Sequence, residues 1–127
     1  MSFVKRVPAG DRISYGLRHT FAAATTVATV PIGYADGVPR RLGSVNGEVL
    51  IGGRRCRIVG VVTMDQLMVH TGDADVAVGD EVVLIGRQGG ERITAEDWGD
   101  LLDTIGYEVT CGISKRIERR HHFPRPD

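Results

Sequence analysis

Lysine is almost missing from this chain: fourteen of its sixteen basic residues are arginine, leaving only Lys5 and Lys115. Any chemistry that needs a lysine amine to form a Schiff base therefore has two candidates at most. Cysteine is as scarce. Cys56 and Cys111 stand alone, with no second Cys or His at ligand spacing, which excludes a zinc site and leaves no metal expected. Both are expected to be reduced, half-buried thiols of a cytoplasmic protein. No run comes near the ~20 apolar residues that span a bilayer. Residues 1–7 have neither the apolar stretch nor the small-residue cleavage site of a signal peptide. Excess charge is lacking too: sixteen acids balance sixteen bases, so nothing draws the chain as a whole to nucleic acid or an anionic membrane. Also absent are a G-x-S-x-G elbow, a neighbouring Cys–His pair and a glycine-rich phosphate loop with its lysine.

Glycine, by contrast, is abundant. Its seventeen residues, about twice the ordinary ~7%, favour many turns and short strands. A length of 127 residues suits one domain over 1–127 that buries roughly two thirds of its extended surface. The β-branched run over residues 25–32 reads as a strand, with Pro31 marking an edge or a bulge. Asn46-Gly47, between Val45 and Glu48, is a hairpin signal, and a second hairpin at Gly52-Gly53 joins residues 48–51 to 54–62. Residues 66–70 and 81–85 read as further strands. Thr94 with Asp97 forms a capping pattern, followed by Trp98, Leu101, Leu102 and Ile105 on one helical face, with Gly106 as the stop. Residues 107–113 then return to strand. The fold class expected is mainly β: a small closed or nearly closed β-barrel with one α-helix near residues 95–105.

Three segments carry a chemical signature: Ile13-Ser14-Tyr15-Gly16, Gly33-Tyr34-Ala35-Asp36-Gly37 continuing to Pro39-Arg40-Arg41-Leu42, and Met64-Asp65-Gln66. Taken singly they read as a surface tyrosine, an Asp-Gly turn and a strand end. In this order and at these spacings they resemble the C-terminal domain of the alanine racemases, as does the run from Tyr107 through Cys111-Gly112-Ile113-Ser114-Lys115-Arg116. The likeness extends from about Val4 to Arg120. It implies a pyridoxal-phosphate-dependent isomerase that interconverts L- and D-alanine, supplying D-alanine for the cell wall.

The resemblance also implies roles. Tyr15 matches the tyrosine that acts as one of two acid/base groups. Two are needed, because a proton removed from and returned to one face of the planar carbanion regenerates the same enantiomer. A phenol with its ordinary pKa of about 10 needs cations or donors around it to act as a base. Met64 matches the residue whose backbone N–H meets the substrate carboxylate. Tyr34, Arg40, Asp65 and Ile113 match the active-site entrance. Lys115 stands where some members place a tyrosine that holds the cofactor phosphate, and a lysine would meet it as a point charge.

The family's cofactor lysine, which forms the aldimine and serves as the second base, belongs to an N-terminal α/β barrel. Neither Lys5 nor Lys115 matches it. The expectation is therefore a C-terminal domain without its barrel, inactive alone and without covalently held pyridoxal phosphate. Its partner would be a barrel of the same or the partner subunit in a homodimer. The alternative is a free-standing, non-catalytic racemase-like module that binds a partner or small anion. An RNA-binding barrel using the Arg pairs is disfavoured by the zero net charge, and the basic tail from Lys115 to Arg125 reads as a solvated C-terminus rather than a phosphate or nucleic-acid patch.

Overall fold

The structure, a computed structural model, describes residues 1–17 and 19–123, Tyr15 by its backbone alone. Arg125 of the basic tail lies outside the described residues. Six strands form one curled antiparallel sheet: β1 (Phe3–Val7), β4 (Thr25–Val30), β7 (Leu67–Gly72), β6 (Arg54–Val59), β5 (Glu48–Ile51) and β8 (Val82–Val83), side by side in that order. Two small hairpins accompany it, β2 (Arg12–Ile13) with β3 (His19–Thr20), and β9 (Gly86–Gln88) with β10 (Glu91–Ile93).

Alternation explains the central strands. In β7, Leu67, Val69 and Thr71 are buried while Met68, His70 and Gly72 are only partly so. Leu67 and Val69 join Leu42, Val49, Leu50, Ile51, Ile58 and Val62 in the main core, each with at most 1% of its surface exposed. Burying such side chains contributes about 1.5–3 kcal/mol apiece relative to exposure, before the cost of ordering the chain. On the other face, Phe21 packs with Val7, Val27 and Val59, with Ile13 against them. That small cluster lays the β2–β3 hairpin on the sheet and so places its tip, which carries Tyr15.

The barrel expected from the sequence is not closed. β1 and β8 are the two edges of the sheet and do not pair with each other. The residues that precede them are joined: the Met1 carbonyl accepts Gly79 N–H at 3.0 Å and the Met1 amino group donates to the Asp80 carbonyl at 3.0 Å. β8 has two residues, too few to continue the closure, where a strand over 81–85 was expected. The result is a half-barrel.

Other expectations need correction. Pro31 follows the end of β4, a strand paired on both sides, and the bulge falls earlier, between Thr26 and Val27. Asn46-Gly47 does not turn a hairpin. Asn46 takes a left-handed φ of 61° in the turn that follows the tight helix Arg40–Gly43, and only then does β5 begin. The Gly52-Gly53 hairpin is present, but β6 stops at Val59 before Gly60. Helix α1 (Ala95–Leu102) starts as expected, with Thr94 accepting Asp97 N–H at 3.0 Å and Asp97 accepting Thr94 N–H at 2.7 Å. It ends earlier than expected, at Asp103 with φ 58°, not at Gly106. The strand expected over 107–113 is a second helix, α2 (Gly106–Cys111), whose Val109 is buried in the main core against α1. Both cysteines are free thiols: Cys56 is buried and Cys111 is exposed, not half-buried. No described helix is long and apolar enough to cross a membrane.

Candidate functional site

The stretch leaving β6, residues 60–65, is the hub on which the three chemical segments meet. Ser14 docks the first. Its hydroxyl donates to the Val61 carbonyl at 3.2 Å and accepts Val61 N–H at 2.6 Å. Gly60, with φ 74°, leaves the space that Ser14 fills; a Cβ there would collide with the Ser14 side chain. Ser14 and Leu17 both take left-handed φ values, 72° and 51°, on either side of Gly16 at 75°. Such a run in non-glycine residues persists only where the surroundings impose it. The Tyr15–Leu17 turn is thus held at its base by Ser14.

The second segment docks on the same stretch. The tight helix Tyr34–Asp36 lays Tyr34 N–H on the Thr63 carbonyl and Ala35 N–H on the Met64 carbonyl, each at 3.0 Å. Gly37, at φ 108°, closes the turn where a Cβ would lie 2.5 Å from the Gly112 carbonyl oxygen. Tyr34 and Met64, on the two stretches that these bonds join, are left 44% and 54% exposed.

The third meeting was not foreseen. Asp36 is buried, and its carboxylate accepts Gly33 N–H at 2.9 Å and Arg116 Nε–H at 2.6 Å. The Gly33 amide, and then the Arg116 guanidinium, hold the Asp36 carboxyl below the usual carboxylate range against the opposing pull of burial. Arg116 also donates through Nη2 to Asp65 at 2.6 Å. The Asp36 carbonyl accepts Ser114 N–H at 3.0 Å, so the segment bearing Ile113 and Lys115 is fixed to the same turn. Sequence reading placed Asp36 in a turn and Arg116 in a basic tail. The signal that could have joined them is a lone acid beside two glycines, in a turn that needs an acceptor for Gly33 N–H.

Tyr15 (by its backbone), Tyr34, Met64, Asp65, Ile113 and Lys115 therefore belong to segments that converge at one end of the half-barrel. Ile113, 38% exposed, borders a groove of about 560 Å³ shared with Asp36, Gly37 and Trp98. Arg40 borders a separate cleft of about 440 Å³ on the other flank of the hub, with His19, Arg41, Gly60 and Val61. Burial, and then the charges of Arg57 and His70, lower the His19 pKa, so that flank holds His19 toward its neutral form. Lys115 is exposed.

Comparison with known proteins bears on what this convergence serves. Residues 1–121 match the family model described as alanine racemase, C-terminal domain. The alanine racemase of Symbiobacterium thermophilum is 59% identical over 94% of this chain, and that of Cutibacterium acnes 55% identical over 94%. The chain spans about a third of the length of these curated relatives, 32% in both cases. Among solved structures, the Bacillus anthracis alanine racemase with bound L-Ala-P is 46% identical, with a TM-score of 0.86 over 91% of this chain and 29% of that one. The Oenococcus oeni alanine racemase is 36% identical, with a TM-score of 0.87 over 94% of this chain and 32% of that one.

Proposed function

The chain belongs to the family of alanine racemase C-terminal domains, and from that premise we propose that it works as the C-terminal part of a pyridoxal-phosphate-dependent alanine racemase. In this reading it interconverts L- and D-alanine together with an α/β barrel domain, of the same or a partner subunit in a homodimer. One observation carries the proposal. Three segments far apart in sequence, those of Ser14, Tyr34 and Arg116, converge on residues 60–65, and they leave Tyr34 and Met64 partly exposed at the same end of the sheet.

Tyr15 is assigned the proton at one face of the substrate Cα. Its turn is held from below by Ser14, and the donors that make a phenol basic would come from the barrel. Met64 is assigned the substrate carboxylate through its N–H, its carbonyl being already engaged by Ala35. Tyr34, Arg40, Asp65 and Ile113 border the approach. Pyridoxal phosphate, when bound, supplies the electron sink that lets the α-proton leave. Of this chain's residues, Lys115 is suited to its phosphate: an exposed cation on a segment pinned to Asp36 through Ser114. The base on the opposite face is assigned to the barrel, because Lys5 lies in edge strand β1 opposite Val27 and Lys115 is given to the phosphate.

The test is alanine racemisation after mixing this chain with a separately expressed, pyridoxal-phosphate-loaded barrel half of the Symbiobacterium thermophilum relative. Activity should appear with the parent chain and fall by at least ~100-fold with Tyr15→Phe. Binding of the two halves without any racemisation would refute the catalytic reading and leave a non-catalytic module.

A further inference from the structure

One side chain ties together three parts of the site that are distant in sequence. Arg116 reaches Asp36 across 80 residues and Asp65 across 51, both at 2.6 Å and through different nitrogens. The two acids differ in setting. The Asp36 side chain is 6% exposed, and its second oxygen is already taken by Gly33 N–H; the Asp65 side chain is 59% exposed. A guanidinium can serve both because its donors diverge at fixed angles in one plane, whereas an ammonium is a point charge on a flexible stem. The next residues are fastened at the same place. Ser114 N–H is bound by the Asp36 carbonyl, and Arg119 donates through Nη2 to the Ile113 carbonyl at 3.1 Å.

As a contribution to stability the Asp65 arm is slight, because an exposed ion pair is screened by water and salt. Its consequences are position and potential. Asp65 follows Met64, whose carbonyl is bound to the Tyr34 turn, so the carboxylate is held at the point where that turn, residues 60–65 and residues 113–116 join. Two carboxylates with one guanidinium leave a single negative charge there; without the guanidinium there would be two. An amino-acid substrate brings a carboxylate of its own, and a second uncompensated negative charge at the mouth would repel it.

We propose that Arg116 is the positioning residue of this face. It fixes Asp65 and residues 113–115 against the Tyr34 turn, and by cancelling the charge of Asp65 it keeps the approach permissive to amino-acid carboxylates. The kinetic consequence rests on the racemase reading; the positional one is a property of this chain alone, and each has its own test.

The positional test is amide hydrogen exchange in the isotope-labelled chain. Arg116→Ala should speed exchange at Ser114 by about tenfold, against less than about twofold at Val69 in β7, since only the local opening is altered. Arg116→Lys should fall between parent and Arg116→Ala. Unchanged exchange at Ser114, or equal acceleration at Ser114 and Val69, overturns the positional claim. Should Arg116→Ala fail to fold, Arg116→Lys decides the matter by the same comparison.

The kinetic test uses the reconstituted racemase. At an effective dielectric between those of a protein surface and water, one uncompensated unit charge in a half-solvated mouth is worth on the order of fivefold in binding. Arg116→Ala should therefore raise the alanine KM about fivefold with kcat within about twofold, and 0.5 M salt should shrink that difference. Adding Asp65→Asn to Arg116→Ala should lower KM again by at least about twofold from that of Arg116→Ala, the remainder reflecting the loosened residues 113–115. A KM that stays high in the double variant means the loss was one of shape, and overturns the charge-cancelling role. An assembly in which even the parent does not racemise sinks the racemase reading instead; the Ser114 exchange still decides the positional claim.

Discussion

Replacing Asp36 by alanine should destabilise the chain by about 2 kcal/mol, the middle of the ~1–3 kcal/mol range for stranding a buried donor. The figure comes from Gly33. Its N–H is buried, and its described acceptor is the Asp36 carboxylate at 2.9 Å. The turn leaves no room for a substitute residue to follow it, because Tyr34 and Ala35 are already bound to the Thr63 and Met64 carbonyls. The Arg116 arm adds less, since the guanidinium is half exposed and solvent screens it. Asp36→Asn, which keeps an acceptor for one of the two donors, should lose less than Asp36→Ala. The effect should also depend on pH in one direction. A carboxyl whose pKa is depressed in the folded state stabilises it above the unfolded value of about 3.9, and loses that contribution as pH falls through the folded value. The gap between parent and Asp36→Ala should therefore be full at pH 7 and narrow progressively below about pH 4. Urea denaturation read by circular dichroism measures it, with an unchanged m-value as the check that only stability moved. A loss under about 0.5 kcal/mol at pH 7 would refute the reasoning, as would a gap that stays constant down to pH 2.5.

Three further outcomes follow from the same structure. Ser14→Ala removes both bonds to Val61 and should cost about 1–2 kcal/mol in a urea titration; a change below about 0.3 kcal/mol would mean the Tyr15 turn is held some other way. His19 has a lowered pKa, so the unfolded chain binds its proton more readily and stability should begin to fall as pH drops below about 6.5. His19→Gln should flatten the part of that slope between about pH 6.5 and 5, measured as denaturation midpoint against pH. Burial pushes the Cys56 thiol up while Cys111 is exposed, so an aromatic disulfide reagent should modify Cys111 at least ~10-fold faster than Cys56 in the native chain; equal rates would contradict the burial of Cys56.

Much of the fold was legible where local pattern and packing agree. The alternation of Leu67, Val69 and Thr71 reads directly as one buried face, and Thr94 with Asp97 announces α1 at the residue where it begins. α2 was not legible. Tyr107, Val109, Thr110 and Cys111 have the β-branched and aromatic character of a strand, and what makes them helical is Val109 packing beside α1, a tertiary fact. Asn46-Gly47 misled for a related reason: the dipeptide signals left-handed backbone, which Asn46 does adopt, but not which element precedes it. Of the two forms expected, closed or nearly closed, full closure fails because strand count does not reveal that β8 has only two residues.

The site divided in the same way. The motifs around Tyr15, Tyr34 and Met64 were visible as strings, and their segments do converge on residues 60–65. The group that joins them was not visible. Arg116 sits in a run of arginines that reads as a solvated tail, and only its two contacts, 80 and 51 residues away, set it apart. Nor does any local pattern show that Ser14, a non-glycine residue at φ 72°, is wedged into the space left by Gly60.

The central claim, that Tyr15 handles the proton on one face of alanine in a shared active site, is tested most directly by α-deuterium exchange. The chain and its pyridoxal-phosphate-loaded barrel partner would be incubated in D2O with each enantiomer of alanine separately. The parent assembly should racemise both and wash out the α-proton of both. Tyr15→Phe should abolish racemisation and wash-out from one enantiomer, while wash-out from the other continues through the barrel's base. Equal wash-out from both enantiomers in Tyr15→Phe, at the parent's rate, would contradict the account.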